Sequence, residues 1–133
     1  MPFELIWEPR GVCRRYFGAV TVAERQRSFD LICGDPRFDA LRYTITDYRE
    51  VVDYEISEEA TAEIAALHVG PLLTNPNIVM AAVVTDERII AAIRHFMSLD
   101  FTPQPYEIFA DEAAARAWIA QMHATVPTRP RNT

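Results

Sequence analysis

The sequence predicts an α/β fold: a single domain with one mixed, mostly parallel sheet of about five strands, flanked by four helices. The spacing of its apolar residues switches between that of strands and that of helices, in the order β-β-α-β-α-β-α-β-α. The first two strands are joined by a tight turn and therefore form an antiparallel hairpin. A continuous apolar run at residues 78–84 is typical of a strand buried on both faces, and we expect it at the centre of the sheet.

The opening hairpin is predicted from alternation and from its turn. Phe3, Leu5 and Trp7 recur at every second position, as they would on one face of a strand. The sequence EPRG then favours a turn, because Pro9 presets its own φ and Gly11 can adopt a positive φ. The segment VCRRYFG is expected to return as the second strand.

Capping signals mark the ends of the first two helices. The sequence TVAE is a capping box at the start of the first helix, which ends at Gly34 before an Asp-Pro pair. The second helix is expected over residues 57–69, and Gly70 followed by Pro71 should end it. His68 would then lie in its last turn, where a cation suits the helix dipole.

The remaining elements follow the same rules. The segment LRYTIT alternates as a strand that ends at Asp47 and leads into an acidic loop. Asp86 can cap a third helix and Asp111 a fourth, with the short strand YEIF between them. Residues 1–123 are expected to form the domain, and residues 124–133, which are basic and contain proline, a disordered tail.

Composition and charge exclude several classes of function. Half of the 133 residues are apolar, so the chain can bury one core, and its net charge of −6 argues against binding nucleic acid or an anionic membrane surface. The N-terminus lacks the pattern of a signal peptide, and the longest apolar run is too short to span a bilayer. A cytoplasmic location is therefore expected.

No motif indicates a cofactor, a metal or a catalytic centre. The four glycines lack the spacing of a phosphate loop, and the two cysteines and three histidines lack that of a metal site. Cys13 and Cys33 are expected to be reduced and buried, because free cysteine packs as a small apolar residue. We therefore expect no cofactor, no metal and no enzyme activity.

The densest charged stretch surrounds Ser57 and has two explanations. Its acidic residues are Asp47, Glu50, Asp53, Glu55, Glu58 and Glu59. A pair of these carboxylates could do acid–base chemistry. Alternatively, Glu58 and Glu59 favour the first turn of a helix through its dipole, and Ser57 caps that helix. The second explanation accounts for the stretch without a reaction and is preferred.

A ligand site in such a fold is expected outside the carboxyl ends of the parallel strands. Thr85 and Asp86 follow the strand at 78–84, and Phe109 ends the last strand. These three residues are the candidate rim of a ligand pocket.

The segments GAVTVAE, DPRFDALRYTITD, IVMAAVVTDERI and YEIFADEAAARAWI carry a family resemblance. Over residues 3–122 the chain resembles STAS-like domains, the fold of anti-sigma-factor antagonists and of the cytoplasmic domains of sulphate transporters, and most of all an uncharacterised bacterial branch. In the antagonists, a D-S-S-G motif at a helix N-terminus carries a phosphorylated serine. Ser57 matches that acceptor, whereas Ile56 and Glu58 replace the first serine and the glycine.

The resemblance implies a non-catalytic, cytosolic binding module that acts through protein–protein interaction or regulation. Ser57 is then a possible phosphoacceptor or docking site, together with Asp47, Asp53 and Glu55. The partner is either another protein or a second copy of the chain.

Two further expectations concern assembly and ligands. The segment 96–106, which begins at Phe96 and ends at Tyr106, has more large apolar side chains than a short strand and a linker can bury, so it predicts a homodimer interface. The alternative function is a carrier of a small apolar ligand, held in a pocket at the carboxyl ends of the parallel strands.

Overall fold

A computed structural model describes residues 2–125 as one five-stranded sheet with four α-helices and one short 3₁₀ helix. The strands are β1 Phe3–Glu8, β2 Gly11–Val20, β3 Tyr43–Tyr54, β4 Val79–Val83 and β5 Tyr106–Phe109. The α-helices are α1 Val22–Cys33, α2 Glu58–Thr74, α3 Glu87–Ser98 and α4 Glu112–Thr125, and the 3₁₀ helix is Pro36–Ala40. The predicted order of strands and helices is confirmed.

The sheet has the strand order β1-β2-β3-β4-β5. Strands β1 and β2 pair antiparallel, and the other three pairs are parallel, as predicted. Residues 78–84 are all buried, but β4 lies between β3 and β5 and is not the middle strand. The expected central position is wrong because the N-terminal hairpin adds two strands on the far side of β3.

Gly11 is required by packing and not by a positive φ. Among the described glycines only Gly18 has a positive φ, of +66°. A Cβ atom added at Gly11 would lie 2.2 Å from the ring of Tyr43, with which Gly11 pairs across β2 and β3. The hairpin was predicted correctly, but the role of this glycine depends on a strand that is distant in sequence.

β3 is longer than predicted, and the expected acidic loop after Asp47 is part of it. Beyond Asp47, the strand continues to pair with β2: Phe17 with Glu50, and Val20 with Tyr54. Polar residues can continue a strand when a long partner satisfies their backbone groups and their side chains face water. The expected end at Asp47 is therefore wrong.

α2 continues through Gly70 and Pro71 to Thr74, so the predicted end at residue 69 is also wrong. A residue before proline avoids helical geometry partly because its Cβ meets the proline ring, and glycine has no Cβ. The extra turn buries Leu72. Asn75 then ends the helix, and its side-chain amide donates to two carbonyls of the preceding 3₁₀ segment, Phe38 at 2.9 Å and Leu41 at 3.0 Å.

The four helices divide three to one between the faces of the sheet. Side chains of α1, α2 and α3 pack on one face, whereas α4 covers part of the other with Ala115 and Ile119. Positions 124 and 125 belong to α4 and not to a tail. The rest of the predicted disordered tail lies outside the described residues.

Candidate functional site

Ser57 is the N-cap of α2. Its Oγ accepts a hydrogen bond from the backbone N–H of Ala60 at 3.0 Å, and its φ of −149° is that of extended chain. Its carbonyl accepts a bond from the N–H of Thr61 at 3.0 Å. The predicted cap is confirmed, and the residue is exposed. Its role as a phosphoacceptor stays a prediction.

Glu55 joins the end of β3 to the start of α1. Its Oε1 accepts a hydrogen bond from the N–H of Val22 at 2.7 Å, and its own N–H donates to the carbonyl of Val20 at 3.0 Å. Its carbonyl accepts a bond from Nη1 of Arg25 at 3.1 Å. These bonds hold Glu55 in place and tie the end of β3 to the first turn of α1.

A β-bulge just before Glu55 turns an apolar side chain outward. Gly18 pairs with Val51 and Ala19 pairs with Asp53, so Val52 is an extra residue in β3. The positive φ of Gly18, opposite the bulge, is one that glycine adopts without strain. Val52 is 85% exposed as a result. Val52 was not among the predicted site residues, because the segment after Asp47 was expected to be a loop.

The exposed residues at positions 52–57, which are all of them except the buried Tyr54, form a strip that we call the β3–α2 surface. It contains two exposed apolar side chains, Val52 and Ile56, the latter 38% exposed, and it ends at Ser57. Exposed acidic residues lie within and beside it: Glu50, Asp53, Glu55, Glu58 and Glu59. Of the predicted docking residues, Ser57, Asp53 and Glu55 thus lie together.

Asp47 lies apart from that surface. Its side chain is only 8% exposed, and its carboxylate accepts hydrogen bonds from the Arg49 side chain at 3.0 and 2.8 Å. Burial would raise the pKa of Asp47, but the bonds from Arg49 outweigh it and hold the pKa below its usual range. At about 3.3 Å per residue, Asp47 lies on the order of 20 Å from the end of β3.

Two of the three predicted pocket-rim residues, Asp86 and Phe109, make contacts that stabilise the fold. Oδ1 of Asp86 accepts a hydrogen bond from the N–H of Arg88 at 2.8 Å, so Asp86 caps α3, and Thr85 beside it is exposed. The ring of Phe109 packs against that of Trp118 on α4, with centroids 5.6 Å apart. The carboxyl ends of β4 and β5 are therefore used by the two helices that follow them.

A cavity of about 90 Å³ lies instead beneath α1, α2 and α3, against one face of the sheet. Thr85, Asp86 and Phe109 do not line it. Its polar lining includes Arg14, Arg25, Thr46, Tyr48, Thr61 and His68, and its apolar lining includes Phe29, Leu72, Ile78, Met80, Ile93 and Phe96. The cavity is thus part polar and part apolar.

Arg14 brings a cation into this cavity without a carboxylate beside it. Its Nη1 donates to Oγ of Ser28 at 3.0 Å and its Nη2 to Oγ1 of Thr46 at 3.1 Å. Its guanidinium carbon lies 5.0 Å from the centre of the Tyr16 ring. Nε is buried and has no hydrogen-bond partner. Among residues 2–125, Arg14 forms no ion pair.

Arg25 is a second cation on the cavity wall. It is 8% exposed, and its guanidinium carbon lies 4.6 Å from the centre of the Tyr54 ring. Its Nη1 donates to the carbonyl of Glu55, and within the described part of the chain it also has no ion pair. Two aromatic groups on the cavity wall, Tyr54 and His68, carry no charge at neutral pH. Burial raises the pKa of Tyr54 well above its ordinary value, and burial lowers the pKa of His68 to about 4.

Comparisons with known proteins identify similar folds. No protein-family model matches the chain, and no curated protein matches it significantly. Among solved structures, the anti-sigma factor antagonist SpoIIAA in its unphosphorylated form is similar, with a TM-score of 0.61 and 12% identity over 89% of this chain and 97% of that chain. A DUF3478 protein from Shewanella loihica with a SpoIIAA-like fold gives 0.55 and 14% over 88% and 91%. The chain has a STAS-like fold.

The phosphorylated form of Bacillus SpoIIAA is also similar, with a TM-score of 0.53 and 14% identity over 86% of this chain and 98% of that chain. At these identities the similarity concerns the fold alone. The predicted resemblance to STAS-like domains is confirmed at that level. None of the helices within residues 2–125 is both long and apolar enough to cross a bilayer.

The chemistry of the two cysteines in this STAS-like chain suits packing. Burial, followed by the charges of Glu112, Asp47 and Glu8, raises the pKa of Cys13 to about 11. Burial, followed by the charge of Asp30, raises the pKa of Cys33 to about 11. Both are free thiols, and a thiol with such a pKa is a poor nucleophile. Within the described range, histidine, cysteine and acidic side chains form no cluster that could hold a metal ion.

Proposed function

We propose that the chain is a non-catalytic, cytoplasmic binding module that docks on a protein partner through the β3–α2 surface. The bulge at Val52 is the observation that supports it. A bulge that turns a β-branched apolar residue into water exposes apolar area that a partner would bury favourably. Ile56 enlarges the same strip.

The charges around this strip indicate the chemistry of the partner. The acidic residues within and beside the strip give it a negative border. A matching partner surface has a small apolar centre and a border of Lys and Arg. A second copy of the chain would bring like charges together here, so the strip favours a different protein.

Ser57 would lie at the edge of this contact. Its exposed hydroxyl caps the helix, and a phosphate added there would lie at the N-terminus of α2, which favours negative charge. The neighbouring carboxylates of Glu58 and Glu59 oppose that charge. Phosphorylation of Ser57 is thus proposed as a control of docking, and phosphoproteomics on the native organism tests it.

The docking proposal is tested by capturing partners from native cell extract with three forms of the protein and identifying them by mass spectrometry. The forms are wild type, Val52→Asp and, as a matched control, Leu73→Asp, which changes a side chain that is 72% exposed at the far end of α2. A partner retained by wild type and by Leu73→Asp but lost with Val52→Asp supports the proposal. The purified partner should then bind Val52→Asp at least about tenfold more weakly, as expected for an apolar contact replaced by charge. Equal binding by all three forms would refute it.

The second candidate function is a carrier of a small ligand. The cavity beneath the three helices favours it, because a concave site with a few polar groups among apolar side chains is typical of ligand sites. The site differs from the one expected at the carboxyl ends of the strands. Binding of small molecules to the purified protein tests this function.

A further inference from the structure

We propose that the cavity beneath α1, α2 and α3 binds a small monocarboxylate, with its carboxylate at Arg14 and its short apolar body against Ile93 and Phe96. The inference rests on the second candidate function and specifies its ligand as an anion. The contacts of Arg14 and Arg25 and the size of the cavity support it.

The first step is the charge. Arg14 and Arg25 both line the cavity, and neither forms an ion pair within residues 2–125. Arg25 is buried and Arg14 is partly buried. A charge that loses its hydration, in whole or in part, is normally compensated by a partner, because that loss is costly. Tyr54 and His68, which also line the site, are neutral for the reasons given above. An anion in the cavity would supply the missing charge.

The second step is the orientation of Arg14. Ser28 and Thr46 hold its two terminal nitrogens at 3.0 and 3.1 Å, and the Tyr16 ring lies beside the guanidinium plane. The side chain is therefore fixed before any ligand arrives. Its buried Nε–H has no acceptor. Each terminal nitrogen has a second N–H, and a planar guanidinium with two such donors suits a carboxylate.

The third step is size and polarity. A cavity of about 90 Å³ is smaller than the roughly 150 Å³ that accommodates benzene, so the ligand has about two to five carbon atoms. Ile93, Phe96 and Met80 contribute apolar side chains to the wall. Inorganic phosphate would leave those side chains unmatched, whereas a short carboxylic acid matches both parts of the site.

The test uses purified full-length protein and a series of acids, from acetate to hexanoate, at matched ionic strength and neutral pH. Thermal unfolding gives the apparent Kd, because a ligand that binds the native state raises Tm with concentration. Butyramide serves as the neutral equivalent of butanoate, and inorganic phosphate as the anion without an apolar body. The NMR signal of the Arg14 Nε–H reports whether a carboxylate binds at this guanidinium.

Two variants assign the site. Arg14→Met removes the cation, and butanoate should then bind about 10- to 100-fold more weakly, as for the loss of a charged hydrogen-bonded pair. Arg15→Met is the matched control: Arg15 is the next residue and pairs instead with Glu4 and Glu50. It should leave the Kd unchanged. If Arg14→Met does not fold, the shift of the Nε–H signal in wild type decides alone.

The outcomes separate the inference from the function on which it rests. Butanoate binding at least about tenfold tighter than butyramide, with an optimum chain length, supports the inference. Equal binding of butanoate and butyramide refutes the anion but keeps the carrier. Phosphate binding as well as butanoate refutes the carboxylate class. No stabilisation by any probe up to about 50 mM refutes both the anion and the carrier.

Discussion

The imidazole of His68 stacks on the ring of Phe29, with ring centroids 3.9 Å apart and an interplanar angle of 21°. The ring of Phe96 meets it edge-on, with centroids 5.1 Å apart, and Nδ1 lies 2.8 Å from the carbonyl of Ile64. A neutral ring that donates from Nδ1 fits these contacts. The prediction that His68 is a cation in the last turn of α2 is wrong, because α2 continues past His68 to Thr74 and His68 is buried.

This arrangement predicts that stability falls as pH decreases from about 6.5 to about 4. Burial, with a smaller contribution from Arg14, lowers the pKa of His68 from 6.5 to about 4. In that window the unfolded chain binds a proton that the native state does not, so acid favours unfolding, by up to about 3 kcal/mol. His68→Phe should remove this part of the slope. Chemical denaturation at a series of pH values measures it, with His95→Gln on α3 as the control. A slope that His68→Phe leaves unchanged would contradict the neutral assignment.

The cap at Ser57 predicts a pair of stability effects. Ser57→Ala removes the acceptor for the Ala60 N–H and should lower the free energy of unfolding by about 0.5–2 kcal/mol. Ser57→Asp offers an equivalent acceptor and should largely restore it. Urea denaturation compares the three proteins. If Ser57→Ala is as stable as wild type and Ser57 carries stoichiometric phosphate in the native cell, the serine is a switch and not chiefly a cap.

The thiols of Cys13 and Cys33 should react slowly in the native state. Their pKa values rise from an ordinary value of 9.0 to about 11, so the thiolate fraction at neutral pH falls about 100-fold. Alkylation by iodoacetamide, followed by mass spectrometry, should be slow until the protein is unfolded. Cys13→Ala and Cys33→Ala assign each rate. Fast alkylation of either thiol in the native protein would contradict this prediction and would indicate a reactive cysteine.

Gly11 should not tolerate a methyl group. In Gly11→Ala the new Cβ would lie 2.2 Å from the Tyr43 ring, and overpacking of this kind costs about 1–3 kcal/mol. In a Tyr43→Ala background the same substitution should cost much less, because the ring is absent. Denaturation of the four proteins forms a double-mutant cycle. Additive effects would show that the clash is relieved elsewhere.

The predicted homodimer through residues 96–106 stays a prediction. Phe96 packs inside the chain against His68 and Tyr106. Among the large apolar residues of this segment, Phe101 alone is well exposed, at 46%, and the others are partly buried. Light scattering at tens of micromolar, about the range in which weak dimers form, should report a dimer that Phe101→Asp dissociates. A monomeric wild-type protein under these conditions would contradict the predicted homodimer.

Local signals were sufficient for the fold class and for most boundaries. Thr21, Asp86 and Asp111 each accept a bond from the first turn of their helices, because a capping residue and the turn it satisfies are neighbours in sequence. The continuous apolar run at 78–84 is buried, since a strand covered on both faces needs apolar residues at every position. The caps depend on contacts within a few residues, and the buried strand is marked by a local run of apolar residues, although its burial depends on distant elements.

The remaining features were decided only by the tertiary structure. β3 passes Asp47 because β2 is long enough to pair with it, and α2 passes Pro71 because Leu72 gains burial on the core. The bulge at Val52 and the unpaired cation at Arg14 depend on strands and helices that are distant in sequence. The sequence by itself determined where helices and strands begin. Their lengths and the character of the cavity were set by long-range pairing and burial, which leave no local pattern to detect.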